Sequence, residues 1–196
     1  MIVDIGGGTT EVAVLSLGGT VVSESLRIAG DEINDSISSY LKKKHSMAVG
    51  ERTAEKIKIK IGSAFPDDNF DNTSFEVRGL HLASGLPRSI TLTSGEIREA
   101  MADPLNKIVE AIKRTLERTP PELAADIVER GIMLAGGGAL IRGMNDLVTK
   151  ETGIFTHIAE EPLLCVVNGC GKILDDFRKL KRIVDTVDLG TNSIRT

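Results

Sequence analysis

The chain has 196 residues, of which 41% are hydrophobic and 27% charged, which is enough apolar side chain to bury a core and too much for a disordered segment. Its 24 Lys and Arg against 28 Asp and Glu leave a net charge of −4, and aromatic residues make up only 3%. Neither the electrostatic footprint nor the stacking platforms of a nucleic-acid binder are present, so no nucleic-acid partner is expected.

In chain order, "MIVDI" is an apolar run that predicts a first strand, and "EVAVLSL" and "TVVSESL" predict two more, joined by a two-residue hairpin turn at Gly18-Gly19. The glycines at 6–8 then form a turn between antiparallel strands. In "GDEINDSISSYLKKKHS" the apolar residues Ile33, Ile37, Tyr40 and Leu41 recur with helical spacing, with acids at the start and Lys42, Lys43 and Lys44 at the end, as the helix dipole prefers. "GERTAEKIKIKIGSAF" fits two periods, because Ile57, Ile59 and Ile61 alternate like a strand while Ala54, Ile57 and Ile61 make a helical stripe. The helix formers Ala, Glu and Lys around them favour helix.

"PDDNFDNT" is an acidic loop, and "SFEVRGLHLASGLPRSITLT" predicts strands around a Ser84-Gly85 turn. "TSGE" offers a capping box from Thr93 to Glu96. Pro104 is expected to restart a separate helix carrying Leu105, Ile108, Ile112 and Leu116, and Pro120-Pro121 ends that unit. "ELAADIVER" predicts a short helix closed by Gly131, "IMLA" a buried strand, "GGGA" a second triple-glycine turn, and "ALIRGMNDLVTKET" a helix directly behind it. "GIFTHIAE" gives another strand, Pro162 a last helix through "LLCVVNGCGKILDDF", and residues 178–196 a loosely held tail. The layout predicts an α/β protein of two subdomains, with residues 31–118 inserted between 1–30 and 119–177.

Cys165 and Cys170 fit neither a zinc spacing nor a disulfide framework and are expected as buried free thiols. His45, His81 and His157 lie too far apart in sequence to suggest an imidazole metal centre. No apolar run reaches the ~18 residues of a membrane span and no basic region precedes the first strand, so a cytoplasmic protein is expected.

"DIGGGTT" has the composition of a phosphate cradle, because consecutive glycines let backbone N–H groups converge on an anion. It is neither a Walker loop, since no Gly-Lys-Ser/Thr follows, nor a dinucleotide fingerprint, since a strand comes next. Asp4, two residues ahead of the glycines, is placed like a carboxylate that holds Mg²⁺ through water; the alternative is an aspartate that hydrogen-bonds its own turn. "LAGGGALIRG" places a second set of glycines between a strand and a predicted helix start, where N–H groups can face a ligand. Two such turns in one chain are hard to ascribe to packing alone.

The segments "VDIGGGTTEVAV", "GERTAEKIK", "TPPELAADI", "LAGGGAL" and "EEPLLCVVNGCGK" resemble the MreB family, the bacterial actins that determine rod shape, from residue 1 to about residue 175. The resemblance implies an actin-like (ribonuclease H-like) nucleotide-binding lobe with an inserted α+β subdomain, corresponding to the second of two halves. It implies ATP and Mg²⁺ as ligands, with Asp4 acting on the metal, Gly6, Gly7 and Gly8 holding the β- and γ-phosphates, and Thr9 positioning the attacking water.

The helix segment Ala54, Glu55, Lys56, Ile57 and Lys58 would lie against adenine and ribose, with Glu55 and Lys58 as polar contacts; by residues alone that pair reads as an exposed ion pair. Gly136, Gly137, Gly138 and Ala139 would line the opposite wall. Cys170 stands where the family usually has glycine.

At the level of function the resemblance implies self-association into filaments, cell-wall synthesis and morphogenesis proteins as partners, and a membrane surface reached through the first half. The first phosphate hairpin and the acid that polarises water are expected in that half too, so this chain alone is not expected to hydrolyse ATP. A small-molecule kinase of the same superfold and a non-catalytic fragment are the alternatives.

Overall fold

The computed structural model describes residues 1–175, so the tail expected at 178–196 lies outside the described residues. Strands β1 (Ile2–Ile5), β2 (Thr10–Ser16), β3 (Gly19–Leu26), β7 (Ile132–Ala135) and β8 (Thr156–Ile158) form a five-stranded sheet in the order β3-β2-β1-β7-β8. The first three pair antiparallel, whereas β1, β7 and β8 run parallel. All three parallel strands therefore point their C-terminal ends the same way, and both triple-glycine turns leave from that edge.

Val3 and Ile5 of β1 and Val12 and Val14 of β2 alternate into the core, as period-2 burial requires. The β2–β3 turn is Leu17-Gly18 and not Gly18-Gly19: a register shift between Val14 and Leu15 pairs Ser16 with Gly19. Both turn residues have positive φ, 51° and 77°, the twist a two-residue hairpin needs.

Helices α1 (Gly30–His45) and α2 (Glu51–Ile61) form as expected. In α2 the helical period prevails over the alternating one, since Ala54, Ile57 and Ile61 are buried while Ile59 is exposed. Strands β4 (Met47–Ala48), β5 (Ser74–His81) and β6 (Leu86–Thr93) make a second, three-stranded sheet.

The expected break at Pro104 does not occur, and α3 runs unbroken from Ser94–Glu117, opened by the Thr93/Glu96 capping box. A proline fits helical φ and loses one hydrogen bond; here Ile97, Met101, Leu105, Ile108 and Ile112 form one buried stripe on both sides of it, and that packing outweighs the loss. This helix packs on α1 and on β2 and β3 while also touching β6.

Helix α4 (Pro121–Arg130) is closed by Gly131 at φ 82°. Beyond β7 the expected helix starts late. Residues Gly137–Leu140 form a 3-10 turn, Ile141 is extended and Gly143 is left-handed, so α5 covers only Met144–Thr152. The last helix, α6 (Cys165–Asp175), begins after Pro162 and not at it, and none of its residues is buried. The expected burial of the thiols is therefore wrong: Cys165 is partly exposed and Cys170 exposed.

Candidate functional site

The first glycine loop is closed by Gly6 N–H donating to Thr9 O at 2.9 Å. Its outer carbonyls are taken by the start of α1, where Gly30 N–H donates to Gly6 O at 3.1 Å and Asp31 N–H to Gly7 O at 2.8 Å. Among the described residues no backbone carbonyl accepts from the N–H of Gly7, Gly8 or Thr9. Three consecutive exposed donors are thus free to bond solvent or a ligand, an arrangement able to bind an anion. Lys58 Nζ donates to Gly30 O at 2.9 Å, tying α2 to the residue that supports the loop.

The second turn lies against the end of β1. Gly136 has φ 78°, and a Cβ there would come closer than 3.0 Å to the Asp4 carboxylate and the Ile5 carbonyl. A Cβ on Gly138 would stand 2.6 Å from Ile5 Cβ. Packing therefore accounts for two of these three glycines, against the expectation that packing alone would not.

The two turns open on one cavity of 820 Å³. Its walls include Asp4, Gly6 and Gly7, then Gly30 and Asp31 of α1, Glu55, Lys58 and Ile59 of α2, Gly136, Gly137 and Gly138, and Leu163 and Val166. Several residues expected at the site are elsewhere. Ala54 and Ile57 are core residues at 0% exposure, and Lys56 lies over the Phe75 ring at 5.7 Å, because a helix turning every 3.6 residues sends 55, 58 and 59 one way and 54, 56 and 57 elsewhere. The 3-10 turn buries Ala139 completely. Gly8 and Thr9 are exposed, like Gly7, but are not among the cavity walls.

Asp4 stands across the β1–β2 pair from Glu11. Burial, and secondarily the Glu11 charge, push its carboxyl above the ordinary range, and no hydrogen bond offsets them. The turn-stabilising aspartate weighed from sequence is therefore not what the geometry shows. Burial lowers the Lys58 ammonium, opposed by the charges of Glu55 and Asp31. Among the described residues no cluster of three or more His, Cys, Asp or Glu side chains could hold a metal ion unaided, so a cation here would need Asp4 together with ligand and water oxygens.

Sequence reasoning missed Asp31, Phe70 and Arg142 in the walls. Asp31 had a signal, as the first acid of a helix entered from the strand beside the loop. Phe70 and Arg142 had none, because they meet only through the tertiary fold. Among the described residues no helix is long and apolar enough to cross a membrane.

The family model described as MreB/Mbl protein matches residues 1–182. The chain is 53% identical over 175 residues to the cell shape-determining protein MreB of Escherichia coli (strain K12), covering 89% of this chain and 50% of that protein. It is 47% identical over 182 residues to the cell shape-determining protein Mbl of Bacillus subtilis (strain 168), covering 93% and 54%. The crystal structure of MreB5 of Spiroplasma citri bound to ADP superposes with a TM-score of 0.86 at 38% identity, over 92% of this chain and 54% of that one. The fold is thus actin-like, and the chain spans about half the length of the curated relatives it matches. With nearly its whole length matched by the family model and half of its residues shared with a relative, the chain belongs to the MreB/Mbl family.

Proposed function

We propose that the cavity holds ATP with Mg²⁺, and that the chain is the second lobe of an actin-like protein that polymerises into filaments organising cell-wall synthesis and rod cell shape. The observation that carries this is the convergence on one cavity of a loop with unpaired N–H groups, an unpartnered Asp4 carboxylate and the α2 face bearing Glu55 and Lys58. In support, MreB5 of Spiroplasma citri has crystal structures with ADP and with AMPPNP. The relatives sharing about half their residues are cell shape-determining proteins, which gives the kinase alternative no support.

On this reading the Gly7 N–H at the cavity wall and the exposed N–H groups of Gly8 and Thr9 next to it in the loop donate to phosphate oxygens that extend from the cavity, Lys58 adds positive charge while fixing Gly30, and Glu55 accepts from a ribose hydroxyl. Asp4 would hold Mg²⁺ through water, the cation neutralising phosphate charge when bound. The Thr9 hydroxyl orients the attacking water. We assign residues 31–118, which contain the whole three-stranded sheet, to the smaller subdomain between 1–30 and 119–177. Self-association, contacts with morphogenesis proteins and a membrane surface reached through a first lobe belong to the same proposal.

Titration of the chain with ADP and AMPPNP in Mg²⁺ tests it, with saturable binding of both expected. No binding of either at millimolar concentration overturns the nucleotide assignment. Phosphate release from ATP should be negligible, because phosphoryl transfer needs donors on both sides of the transferred group and this cavity offers one side. Turnover comparable to a full-length relative would overturn the half-site assignment.

A further inference from the structure

We infer that Arg142 is a base-recognition residue of this cavity: its guanidinium, held over the Phe70 ring and tethered to Asp67, presents a flat cationic face to the heteroaromatic base of a bound nucleotide. This rests on the nucleotide reading above. Arg142 sits where two distant stretches meet. Ser63 forms a parallel bridge with it, and Ala64 N–H donates to Arg142 O at 2.7 Å, so the chain leaving α2 is laid against the connection before α5. Gly143 follows with φ 70°, and a Cβ there would stand 2.7 Å from Phe65 Cβ, so the crossing admits no side chain. The backbone of Arg142 is thereby fixed at the cavity wall.

Its side chain is fixed as well. The guanidinium carbon lies 4.2 Å from the Phe70 ring centroid, and Nε and Nη2 donate to Asp67 Oδ2 at 3.2 and 2.8 Å. Asp67 is itself held, its Oδ1 accepting from Asn69 N–H at 3.0 Å. Asp71 accepts from Asp67 N–H at 3.4 Å and is paired with Arg98.

The Arg142 side chain is 53% exposed, where an ion pair adds little to stability, so stability does not explain so many constraints on one arginine. Their combined effect is to remove the rotamer freedom of a long side chain. Among the described residues Nη1 bonds to no protein group, and the guanidinium carbon sits over the Phe70 ring, so the side away from Phe70 is the one we assign to the base. A guanidinium preorganised in this way loses little entropy when a second ring stacks on it. The cavity walls that include Arg142 also include the apolar Ile59, Leu140, Ile141, Leu163 and Val166, which suit a base, whereas the groups suited to phosphate are the first glycine loop and Lys58.

The test is to titrate the unmodified chain, Arg142→Ala, Arg142→Lys and Phe70→Leu with ADP and with inorganic tripolyphosphate, both in Mg²⁺, recording melting temperatures without ligand. Arg142→Lys keeps a cation for Asp67 but loses the plane, so it separates stacking from charge. Both Arg142 variants should lose about tenfold or more in ADP affinity while tripolyphosphate affinity shifts by less than about twofold, with Phe70→Leu showing the same pattern more weakly. Unchanged ADP affinity means that the guanidinium does not meet the base. Equal losses for both ligands mean that Arg142 acts only through loop structure. Either result overturns the inference and leaves the nucleotide assignment standing, whereas an unmodified chain that binds neither ligand overturns both.

Discussion

The two triple-glycine turns have the same letters and opposite reasons for them. At the second, Gly136 and Gly138 press on β1: one is left-handed, and both would drive a Cβ closer than 3.0 Å to Asp4 or Ile5. At the first, Gly7 and Gly8 have no positive φ, and the nearest atoms to an added Cβ are Asp31 carboxylate oxygens at 3.7 and 3.9 Å, ordinary contact. Neither backbone strain nor packing within the chain requires glycine there, so the remaining reason is space kept open for something that approaches the backbone. A run of glycines is thus ambiguous until each missing side chain is set against its neighbours. One turn is shaped by the fold, and on the proposed reading the other is shaped by a ligand.

The largest expected effect tests the packed turn. Gly136→Ala adds a left-handed alanine and a clash with backbone, and should destabilise the ligand-free chain by about 2–4 kcal/mol, roughly 5–15 °C in melting temperature. Gly138→Ala should fall in the same range, but its clash is with a side chain, so Ile5→Ala in the same molecule should relieve part of it. A double-mutant cycle is expected to show favourable coupling of about 1 kcal/mol between positions 5 and 138. If Gly136→Ala melts with the unmodified chain, the second turn is not built by packing and the contrast between the two loops collapses.

Next in size is a change in binding with little change in fold. Gly7→Ala should stay within about 1 kcal/mol of the unmodified chain without ligand, the smaller backbone entropy of unfolded alanine offsetting minor crowding. Its ADP affinity should fall about tenfold or more, because the methyl occupies the space through which phosphate reaches the N–H groups. Calorimetric titration beside a melting curve reads both quantities. A large stability loss with binding intact would reverse the roles assigned to the two loops.

Much of this was legible in the chain itself. The alternation in β1 and β2, the stripe of Ile33, Ile37 and Leu41, and the Thr93 capping box are local patterns, and local patterns gave the elements. Pro104 and the start of α5 were not legible, because the first is overridden by a core stripe on both sides of it and the second depends on the left-handed Gly143.

At the site, family segments are read as runs of consecutive residues, whereas a helix presents every third or fourth one. Glu55 and Lys58 therefore reach the cavity while Ala54, Lys56 and Ile57 do not. Arg142 and Phe70 are separated by most of the chain's middle, and the Ser63–Arg142 bridge, the Ala64–Arg142 hydrogen bond and the Asp67–Arg142 ion pair join their two stretches.

The smallest expected effect concerns the residue that both turns share. Asp4 is the penultimate residue of β1, ahead of the first loop, and the missing side chain of Gly136 is what leaves room for its carboxylate. Because burial and Glu11 raise its folded-state pKa, the native chain binds this proton more readily than the unfolded chain does. Stability from this group is then lost as pH rises from the ordinary carboxylate value through the raised folded one, and above both the charge is a fixed penalty. Asp4→Asn keeps the shape and removes that penalty. Its ligand-free melting temperature should therefore rise modestly at neutral pH, and the difference should vanish in acid, where both forms are uncharged. Affinity for ADP should fall more when Mg²⁺ is present than when it is chelated, since the carboxylate would act through the cation. A melting temperature that instead drops at neutral pH, by an amount near that of Gly136→Ala, would mean that Asp4 holds the turn together and that the charge serves the fold.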